Sequence, residues 1–258
     1  MSDSPARVVI TGASSGIGKA LAHQYAKRGA TLALIARRGD LLAQLAKSLP
    51  VRAYTFVADV RDAYAMAAAA EDFMGRVGCP DLVIASAGVS AGTLTGDPRD
   101  NQVFEEILAV NVTGLMFTFQ PFIEPMTARK HGTLAGIASV AGYRGLPGAA
   151  AYSASKAAVI SYLESLRVEL AESGVSVVTI CPGYVATPMT DRNPYRMPFL
   201  MDADSAAKRI AGAIARRKSF YVLPWQIAVL GWFLRRLPRP IYDSLFRRAP
   251  RKPRRSIN

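Results

Sequence analysis

The chain has 258 residues and 50% hydrophobic content, enough to bury a large core as one undivided α/β domain. Its two cysteines, Cys79 and Cys181, lack metal-site spacing and its two histidines are isolated, so we expect no metal site and reduced thiols in a cytoplasmic protein. A predicted strand begins within the first ten residues, which argues against a signal peptide and against secretion.

The net charge of +13 is concentrated near the C-terminal end. Residues 219–258 contain nine basic side chains and one acidic side chain, a contribution of +8. The preceding 218 residues contribute only +5. The basic character therefore belongs mainly to the tail, which needs an explanation separate from that of the rest of the chain.

A glycine-rich turn separates the first predicted strand, Ala6 to Ile10, from a helical pattern at Lys19 to Arg28. Glycines in that position let the backbone approach a pyrophosphate, which the helix N-terminus favours electrostatically. The spacing is G-x-x-x-G-x-G, whereas the general dinucleotide fingerprint is G-x-G-x-x-G. The run TGASSGIG at 11–18 predicts a cofactor site formed by Gly12, Ser14, Ser15, Gly16, Ile17 and Gly18.

The second predicted strand, Thr31 to Ile35, is followed by two arginines rather than by an acid. An acid at this point binds the ribose 2′-hydroxyl of NAD, whereas an arginine suits the 2′-phosphate of NADP. We expect the planar guanidinium of Arg37 to bind that phosphate with Arg38 in support, so that NADP(H) is preferred over NAD(H). The alternative interpretation is a solvated basic turn.

Helical and strand patterns then alternate, as a Rossmann-type doubly wound parallel sheet flanked by helices requires. The predicted strands are 51–57, 81–85, 132–139, 175–180 and 220–223, and the predicted helices are 40–48, 64–77, 101–122, 152–172 and 203–218. Ligands of such α/β sheets bind at the carboxyl ends of the strands. We therefore expect one site where the strand ends converge, at Gly12, Arg37, Asp59, Gly88, Ser139 and Pro182.

Tyr152 and Lys156 stand four residues apart and share one face of a predicted helix. A nearby ammonium favours the phenolate, so we expect Lys156 to lower the pKa of Tyr152 from about 10. A tyrosine of lowered pKa can exchange a proton with a carbonyl or an alcohol. Ser139, at the end of a predicted strand, is placed to hydrogen-bond the same oxygen.

These motifs together closely resemble those of the short-chain dehydrogenase/reductase family, in its single-domain form. The resemblance covers residues 6 to 188 and rests on TGASSGIG, Asp59-Val60, Asn111, Ser139, Tyr152-x-x-x-Lys156 and Pro182-Gly183, in family order and at family-like separations. It implies an NAD(P)-dependent oxidoreductase with a catalytic tetrad of Asn111, Ser139, Tyr152 and Lys156.

The resemblance also implies a role for each residue. Tyr152 is the general acid/base, Lys156 lowers its pKa and holds the nicotinamide ribose, and Ser139 polarises the carbonyl. Asn111 helps to hold a water that links Lys156 to solvent. The cofactor is expected against Asp59, Val60, Ala87, Gly88, Pro182, Gly183, Val185 and Thr187, with Asp59 beside the adenine and Thr187 on the nicotinamide amide.

One motif departs from the family pattern. The family often has Asn-Asn-Ala-Gly after the fourth strand, where this chain has Ala85-Ser86-Ala87-Gly88. We interpret this as altered bracing of the loop rather than lost activity, because the tetrad is intact. The separation of Tyr152 and Lys156 also argues against the enoyl reductase branch, which spaces the two residues more widely.

Residues 188–204 occupy the position of the family's substrate lid. They include apolar side chains, and methionines adapt to flexible or irregular ligands, so the segment suggests a hydrophobic substrate. The apolar members are Tyr195, Met197, Phe199, Leu200 and Met201. The alternative is that these side chains only cover the core.

The chain after the catalytic domain, 1–223, forms a C-terminal extension at 224–258. Trp225 to Leu237 is apolar and closed by two arginines, and it is too short to span a bilayer, which needs about 20 apolar residues. Aromatic rings flanked by arginines suit the membrane interface. Ile241 to Phe246 repeats the pattern, and the final RKPRRSIN resembles a disordered end.

Three interpretations of this extension remain. We favour peripheral contact of 225–258 with the cytoplasmic face of a membrane. The second interpretation is a lid over the substrate or a subunit interface, since this family commonly oligomerises as dimers or tetramers. Nucleic-acid binding is not expected, because no recognised nucleic-acid module accompanies the basic residues.

The sequence thus predicts an NADPH-dependent reductase of a lipophilic ketone or aldehyde, with Tyr152 as proton donor. One alternative is a soluble reductase of 3-oxoacyl thioesters. Another, from a different class, is a non-catalytic protein that binds NADP(H) as a sensor.

Overall fold

The computed structural model describes residues 7–254, and within them seven parallel strands form one sheet. The strands are β1 (Arg7–Thr11), β2 (Thr31–Ala36), β3 (Ala53–Val57), β4 (Leu82–Ala85), β5 (Gly132–Ile137), β6 (Val175–Pro182) and β7 (Phe220–Leu223). Their order across the sheet is β3-β2-β1-β4-β5-β6-β7. The predicted doubly wound parallel sheet is confirmed; Ala6, the first residue of the predicted first strand, lies outside the described residues.

The helices lie between and after the strands. They are α1 (Gly16–Ala26), α2 (Gly39–Ser48), α3 (Ala63–Val77), α4 (Asn101–Leu108), α5 (Gly114–Ala128), α6 (Ala150–Glu169), α7 (Ala203–Ala215), α8 (Trp225–Arg236) and α9 (Arg239–Phe246). Two of them begin at an aspartate whose side chain accepts a hydrogen bond from a backbone N–H of the first turn: Asp62 for α3 and Asp202 for α7. These two aspartates are therefore N-caps, which fix where α3 and α7 begin.

The core lies on both faces of the sheet, because alternate residues of a strand point to opposite faces. Val8 and Ile10 of β1 pack in a cluster with residues of α1, α2 and α7. Val9, between them, packs in a second cluster with residues of α3, α5 and α6. Helices therefore cover both faces of the sheet, as an all-parallel sheet requires.

The strand order reverses at β1, which pairs with β2 on one side and with β4 on the other. Successive crossovers from β1 run towards β3, and those after β3 run towards β7. The loops that leave β1 and β4 therefore diverge and open a crevice at their carboxyl ends. This crevice is where the fold places a ligand.

The predicted helix 101–122 differs from the structure in one respect. A π-helical turn, Ala109–Thr113, interrupts it between α4 and α5. The stretch Pro98–Ala128 is long and apolar enough to cross a membrane by length and composition alone. Its side chains Ile107, Phe119 and Phe122 are nevertheless fully buried in the core clusters, so we assign it to the protein interior.

The chain after β7 packs against the loop that precedes α6. The backbone of Gly231 in α8 faces the ring of Tyr143, and the Tyr242 hydroxyl donates a 2.7 Å hydrogen bond to the Gly145 carbonyl. Arg144 joins the same two segments, because it donates a hydrogen bond to the Leu234 carbonyl at 3.2 Å and its guanidinium lies 4.1 Å from the Tyr242 ring centroid. The expectation of a disordered end is wrong for residues 251–254. Residues 252–254 hydrogen-bond to the segment after β4, and Arg251 lies against Gly148. Residues 255–258 lie outside the described part.

Candidate active site

A cleft of about 400 Å³ lies at the carboxyl ends of the strands, and it brings the predicted site residues together. The predicted residues that line it are Gly12, Ser14, Ser15, Gly16, Ile17, Gly18, Arg37, Arg38, Asp59, Val60, Ala87, Gly88, Ser139, Tyr152, Lys156, Pro182, Gly183, Val185 and Thr187. Asn111 is buried beneath the lining. Residues from six separate turns thus meet in one groove.

In the glycine-rich turn, the missing side chains let the backbone lie close to the neighbouring turns. Gly12 has φ +67°, and a Cβ there would lie 2.7 Å from the Ala87 Cα; Gly16 has φ +54°, and its Cβ would lie 3.2 Å from Thr187 Cγ2. Thr11 joins the two neighbouring turns because its Oγ1 accepts a hydrogen bond from the Ser86 N–H at 3.2 Å. The cradle that these small residues leave beside the start of α1 fits a pyrophosphate.

The two arginines after β2 make different contacts. Arg38 donates to Ser14 Oγ at 2.9 Å and to Ser15 Oγ at 2.8 Å, so its guanidinium lies on the glycine-rich turn. Arg37 is exposed, and its Nη1 lies 3.8 Å from Asp59 Oδ2. The hydrogen bond from Arg61 is the main cause that holds the pKa of Asp59 below its usual value. This end of the cleft therefore carries the guanidinium groups of Arg37 and Arg38 in its lining, beside an ionised carboxylate that Arg61 pairs.

Ser139, Tyr152 and Lys156 meet at the other end of the cleft. Ser139, which follows β5, accepts a hydrogen bond from the Ala141 N–H at 3.1 Å and donates one to the Pro182 carbonyl at 3.5 Å; its side chain lies beside the Tyr152 phenol, whose pKa it lowers. Lys156 is buried, and its Nζ lies 5.9 Å from the Tyr152 ring centroid. Lys156 also donates a 2.8 Å hydrogen bond to the Ile137 carbonyl. The serine hydroxyl and the phenol thus lie side by side, with the Lys156 ammonium near the phenol ring.

The predicted lowering of the Tyr152 pKa is wrong for this arrangement. Burial raises the pKa of Tyr152 above 10, and the hydrogen bond with Ser139 offsets only part of that rise. Burial also lowers the pKa of Lys156 to about 8, because its ammonium is removed from water. The geometry explains the difference: Lys156 directs a hydrogen bond to the Ile137 carbonyl and faces the phenol ring at a distance.

Asn111 lies in the π-helical turn and braces the loop after β4. Its Oδ1 accepts from the Val89 N–H at 2.8 Å, and its Nδ2 donates to the Val89 carbonyl at 3.0 Å and to Ser155 Oγ at 2.9 Å. π-Helical turns occur frequently at functional sites. A Cβ at Gly88 would lie 3.3 Å from Asn111 Oδ1 and 3.7 Å from Lys156 Nζ, so the three residues are adjacent. The water relay assigned to Asn111 stays a prediction.

Several residues of the site were not predicted. The further lining residues are Ala36, Ala58, Ser86, Val89, Val110, Ile137, Ala138, Pro188, Met189 and Thr190. Most of these are neighbours of predicted residues at strand ends, so position alone would have found them. Thr190 is different, because its hydroxyl accepts from the Thr187 N–H at 2.9 Å and donates to the Val185 carbonyl, which fixes the turn after β6.

The short chain dehydrogenase family model matches residues 6–196. The chain belongs to the short-chain dehydrogenase/reductase family. A curated relative from Myxococcus xanthus, described as an uncharacterized oxidoreductase, is 38% identical over 93% of this chain and 96% of its own length. A relative from Streptomyces violaceoruber, described as granaticin polyketide synthase putative ketoacyl reductase 1, is 35% identical over 71% of this chain and 69% of its own length.

A solved structure of the family shares this fold. It is a short-chain dehydrogenase/reductase from Burkholderia phymatum in complex with NAD, 25% identical, with a TM-score of 0.82 and 100% coverage of each chain. The present chain, as a member of the same family, is therefore an oxidoreductase enzyme that uses a nicotinamide cofactor. The cleft described above, with its glycine-rich cradle, fits that cofactor.

Proposed function

We propose that this dehydrogenase/reductase is an NADPH-dependent reductase of a lipophilic ketone or aldehyde. The observation that carries the proposal is the composition of the two ends of one cleft. Arg37 and Arg38 stand at one end, and Ser139, Tyr152 and Lys156 stand at the other. The first group suits a phosphate, and the second suits a carbonyl oxygen that gains a proton.

The residues divide the work at the carbonyl. A bound nicotinamide supplies the hydride that reduces the carbonyl carbon. Ser139 and Tyr152, whose side chains lie beside each other, hold the carbonyl oxygen between two O–H groups. Tyr152, protonated because burial raises its pKa, donates the proton as negative charge develops on that oxygen. Lys156, whose pKa is about 8, then returns a proton to Tyr152 near neutral pH.

The preference for NADPH rests on Arg37. Its guanidinium is exposed at the rim of the cleft, and the strand end offers no acid in its place. Arg38 supports the proposal by holding Ser14 and Ser15 beside the same point. An arginine fork binds a phosphate through paired N–H donors, whereas an acid at this position would repel it. The similar structure from Burkholderia phymatum is a complex with NAD. The preference for NADPH is therefore proposed from the arginines of the present chain and not from that structure.

A lipophilic substrate is supported by the segment 188–204. Met189 lines the cleft. Phe199 and Leu200, later in the same segment, have about half of their side-chain surface exposed. The backbone at Met201 pairs with Tyr184 and Ala186, which anchors the end of the segment to the turn after β6. The segment can therefore present apolar side chains over the Tyr152 end of the cleft, in the role of a substrate lid.

Peripheral membrane contact is supported by the outer faces of α8 and α9. Large apolar side chains are exposed there, and arginines stand beside them. The exposed apolar residues are Trp225, Val229, Leu230, Trp232, Phe233, Ile241 and Leu245. Exposed aromatic rings next to arginines match the headgroup region of an anionic leaflet, which would place the enzyme on the cytoplasmic face of a membrane. A subunit interface in a homo-oligomer is the competing use of the same face.

The test is NADPH oxidation with a series of aldehydes and ketones of increasing chain length, with and without liposomes. The proposal expects kcat/KM to rise with chain length and the rate to rise further with liposomes. Fast turnover of short carbonyls without a liposome effect would instead support a soluble reductase, including the 3-oxoacyl thioester reductase that the Streptomyces relative suggests. NADPH binding without turnover of any carbonyl would support the sensor.

A further inference from the structure

The last described residues, 251–254, cross the surface beside Tyr152, and we call them the C-terminal strap. Gly92 in the loop after β4 donates its N–H to the Pro253 carbonyl at 2.8 Å and forms a β-bridge with Arg254. A Cβ at Gly92 would lie 2.9 Å from that carbonyl oxygen, so glycine is needed for this approach. The loop is thus shaped to receive the strap.

Arg254 anchors the strap to two aspartates. Its Nε lies 2.9 Å from Asp100 Oδ2 and its Nη2 lies 3.1 Å from Asp100 Oδ1, and it also bonds Asp97. Asp100 is buried, and hydrogen bonds from the Leu94 N–H and then from Arg254 hold its pKa below the usual range. A buried carboxylate is stable only when it is paired, so the chain needs Arg254 at this position.

Lys252 is the residue that this anchor holds beside the Tyr152 ring. Its Nζ donates a 2.7 Å hydrogen bond to Ser90 Oγ and lies 5.4 Å from the Tyr152 ring centroid. Within residues 7–254 no carboxylate lies within 4 Å of this ammonium; Asp97 and Asp100, the acids nearest along the strap, are occupied by Arg254. A half-buried ammonium whose partner is a neutral hydroxyl is poorly compensated for lost water.

We propose that Lys252 is a specificity-determining residue, which binds a carboxylate on the substrate while Ser139 and Tyr152 hold its carbonyl oxygen. The inference rests on the proposed reductase and narrows its substrate class to lipophilic oxo acids. Lys252 keeps N–H donors for an incoming anion, since a lysine has three of them and one faces Ser90.

The test compares 4-oxodecanoate with its methyl ester, which has the same ketone and chain but no charge. In the wild-type enzyme with NADPH we expect a lower KM for the acid than for the ester. Lys252→Met should lower kcat/KM for the acid by about 10- to 100-fold, through KM, because a charge-assisted hydrogen bond is lost. The ester should change by less than about twofold, and Lys252→Arg should restore most of the acid's kcat/KM.

Two further variants control for side effects. Lys218→Met removes an exposed lysine that also lies over a tyrosine, 5.2 Å from the Tyr221 ring centroid, and should leave both substrates unaffected. Arg254→Gln releases the strap without touching Lys252, and should reproduce the selective loss for the acid. The KM of the wild-type enzyme for the acid should rise above about pH 8, where burial makes Lys252 lose its proton, while the KM for the ester does not follow.

Binding separates this inference from the proposed function. Calorimetric titration with 4-oxodecanoate, with and without NADPH, measures its dissociation constant. We expect Lys252→Met to bind the acid more weakly than wild type does, even where no turnover occurs. If wild type turns over neither ketone yet shows this loss of binding, the reductase proposal fails and the Lys252 site stands. Equal effects of Lys252→Met on acid and ester, a wild-type preference for the ester, or acid binding that is indifferent to Lys252 would overturn the inference.

Discussion

The Nζ atom of Lys156 donates to the Ile137 carbonyl at 2.8 Å and lies 5.9 Å from the centroid of the Tyr152 ring. The lysine is therefore fixed by the end of β5, and the polar side chain beside the phenol is Ser139, which lowers the pKa of Tyr152. This arrangement separates two tasks. We propose that Ser139 and Tyr152 bind the reacting oxygen and that Lys156 supplies positive charge and a proton.

Replacement of Tyr152 by phenylalanine removes the proton donor and keeps the ring. We expect kcat to fall by about 10²- to 10⁴-fold, the usual contribution of a general acid. NADPH binding, measured by fluorescence titration, should change little, because the cradle at Gly12 and the arginines lie at the other end of the cleft. Unchanged turnover in Tyr152→Phe would contradict the assignment.

Lys156 gives a prediction on stability and pH. Burial lowers its pKa from 10.5 to about 8, so the unfolded chain binds this proton more tightly than the folded protein does. Between pH 8 and 10, stability from this group therefore rises with pH, by at most about 1.4 kcal/mol per pH unit. Below pH 8 the folded protein carries the full desolvation penalty.

The variant Lys156→Met isolates that effect. Its free energy of unfolding in urea, minus that of wild type, should decrease as the pH rises from 8 to 10. Cys181 and Tyr152, the titratable groups that face Lys156, stay neutral in this window, because burial raises the Cys181 pKa to about 12 and that of Tyr152 above 10. A difference that is constant with pH would show that Lys156 is not desolvated in the folded protein.

The sequence predicts the sheet and most of the cleft because those signals are local. Apolar runs mark the strands, and the ends of parallel strands converge wherever their loops begin. Gly12, Asp59, Ser139 and Pro182 can therefore be assigned to one site from their positions at the strand ends alone. The Tyr152 and Lys156 pair is found in the same way, since four residues along a helix return to the same face.

The sequence could not predict contacts that join distant segments. Lys252 and Ser90 are separated by 162 residues, and no periodic pattern relates them. The partner of Lys156 depends on where β5 ends relative to α6, and so the direction of the Tyr152 pKa shift was predicted wrongly. The π-helical turn around Asn111 was missed because its apolar pattern continues that of an ordinary helix.

Arg37 and Arg38 should have separable effects on cofactor binding. Arg37 is exposed at the rim, whereas Arg38 is bonded to Ser14 and Ser15 of the turn. We expect Arg37→Gln to weaken NADPH binding by about 10- to 100-fold and to leave NADH binding nearly unchanged, because a charge-assisted contact to the 2′-phosphate is lost. Arg38→Gln should weaken both cofactors, because the turn loses its brace.

Glutamine serves here better than aspartate, since an added acid would stand beside Asp59. Dissociation constants for both cofactors come from fluorescence titration of each variant at fixed ionic strength. Equal losses for NADH and NADPH in Arg37→Gln would refute phosphate recognition by Arg37. A wild-type enzyme that prefers NADH would refute the NADPH preference altogether.

The exposed aromatic face of α8 gives the test of membrane contact. Trp232 is 51% exposed and Phe233 is 60% exposed, and Arg235 and Arg236 follow them. We expect Trp232→Ser/Phe233→Ser to lower partitioning onto liposomes that contain anionic lipid by at least about tenfold, because two apolar side chains no longer leave water. Flotation through a sucrose gradient measures the bound fraction, and added salt should weaken binding of the wild type.

The matched control is Tyr64→Ser/Val168→Ser, which removes two apolar side chains that are more accessible than the tested pair, at 90% and 63%, on α3 and α6. It should float like wild type, which would assign the binding to the α8 face rather than to general hydrophobicity. Sedimentation in the absence of lipid distinguishes the competing interface. If Trp232→Ser/Phe233→Ser dissociates an oligomer and the wild-type protein does not float, the α8 face joins subunits. Contact with a second subunit would then bury the same aromatic side chains.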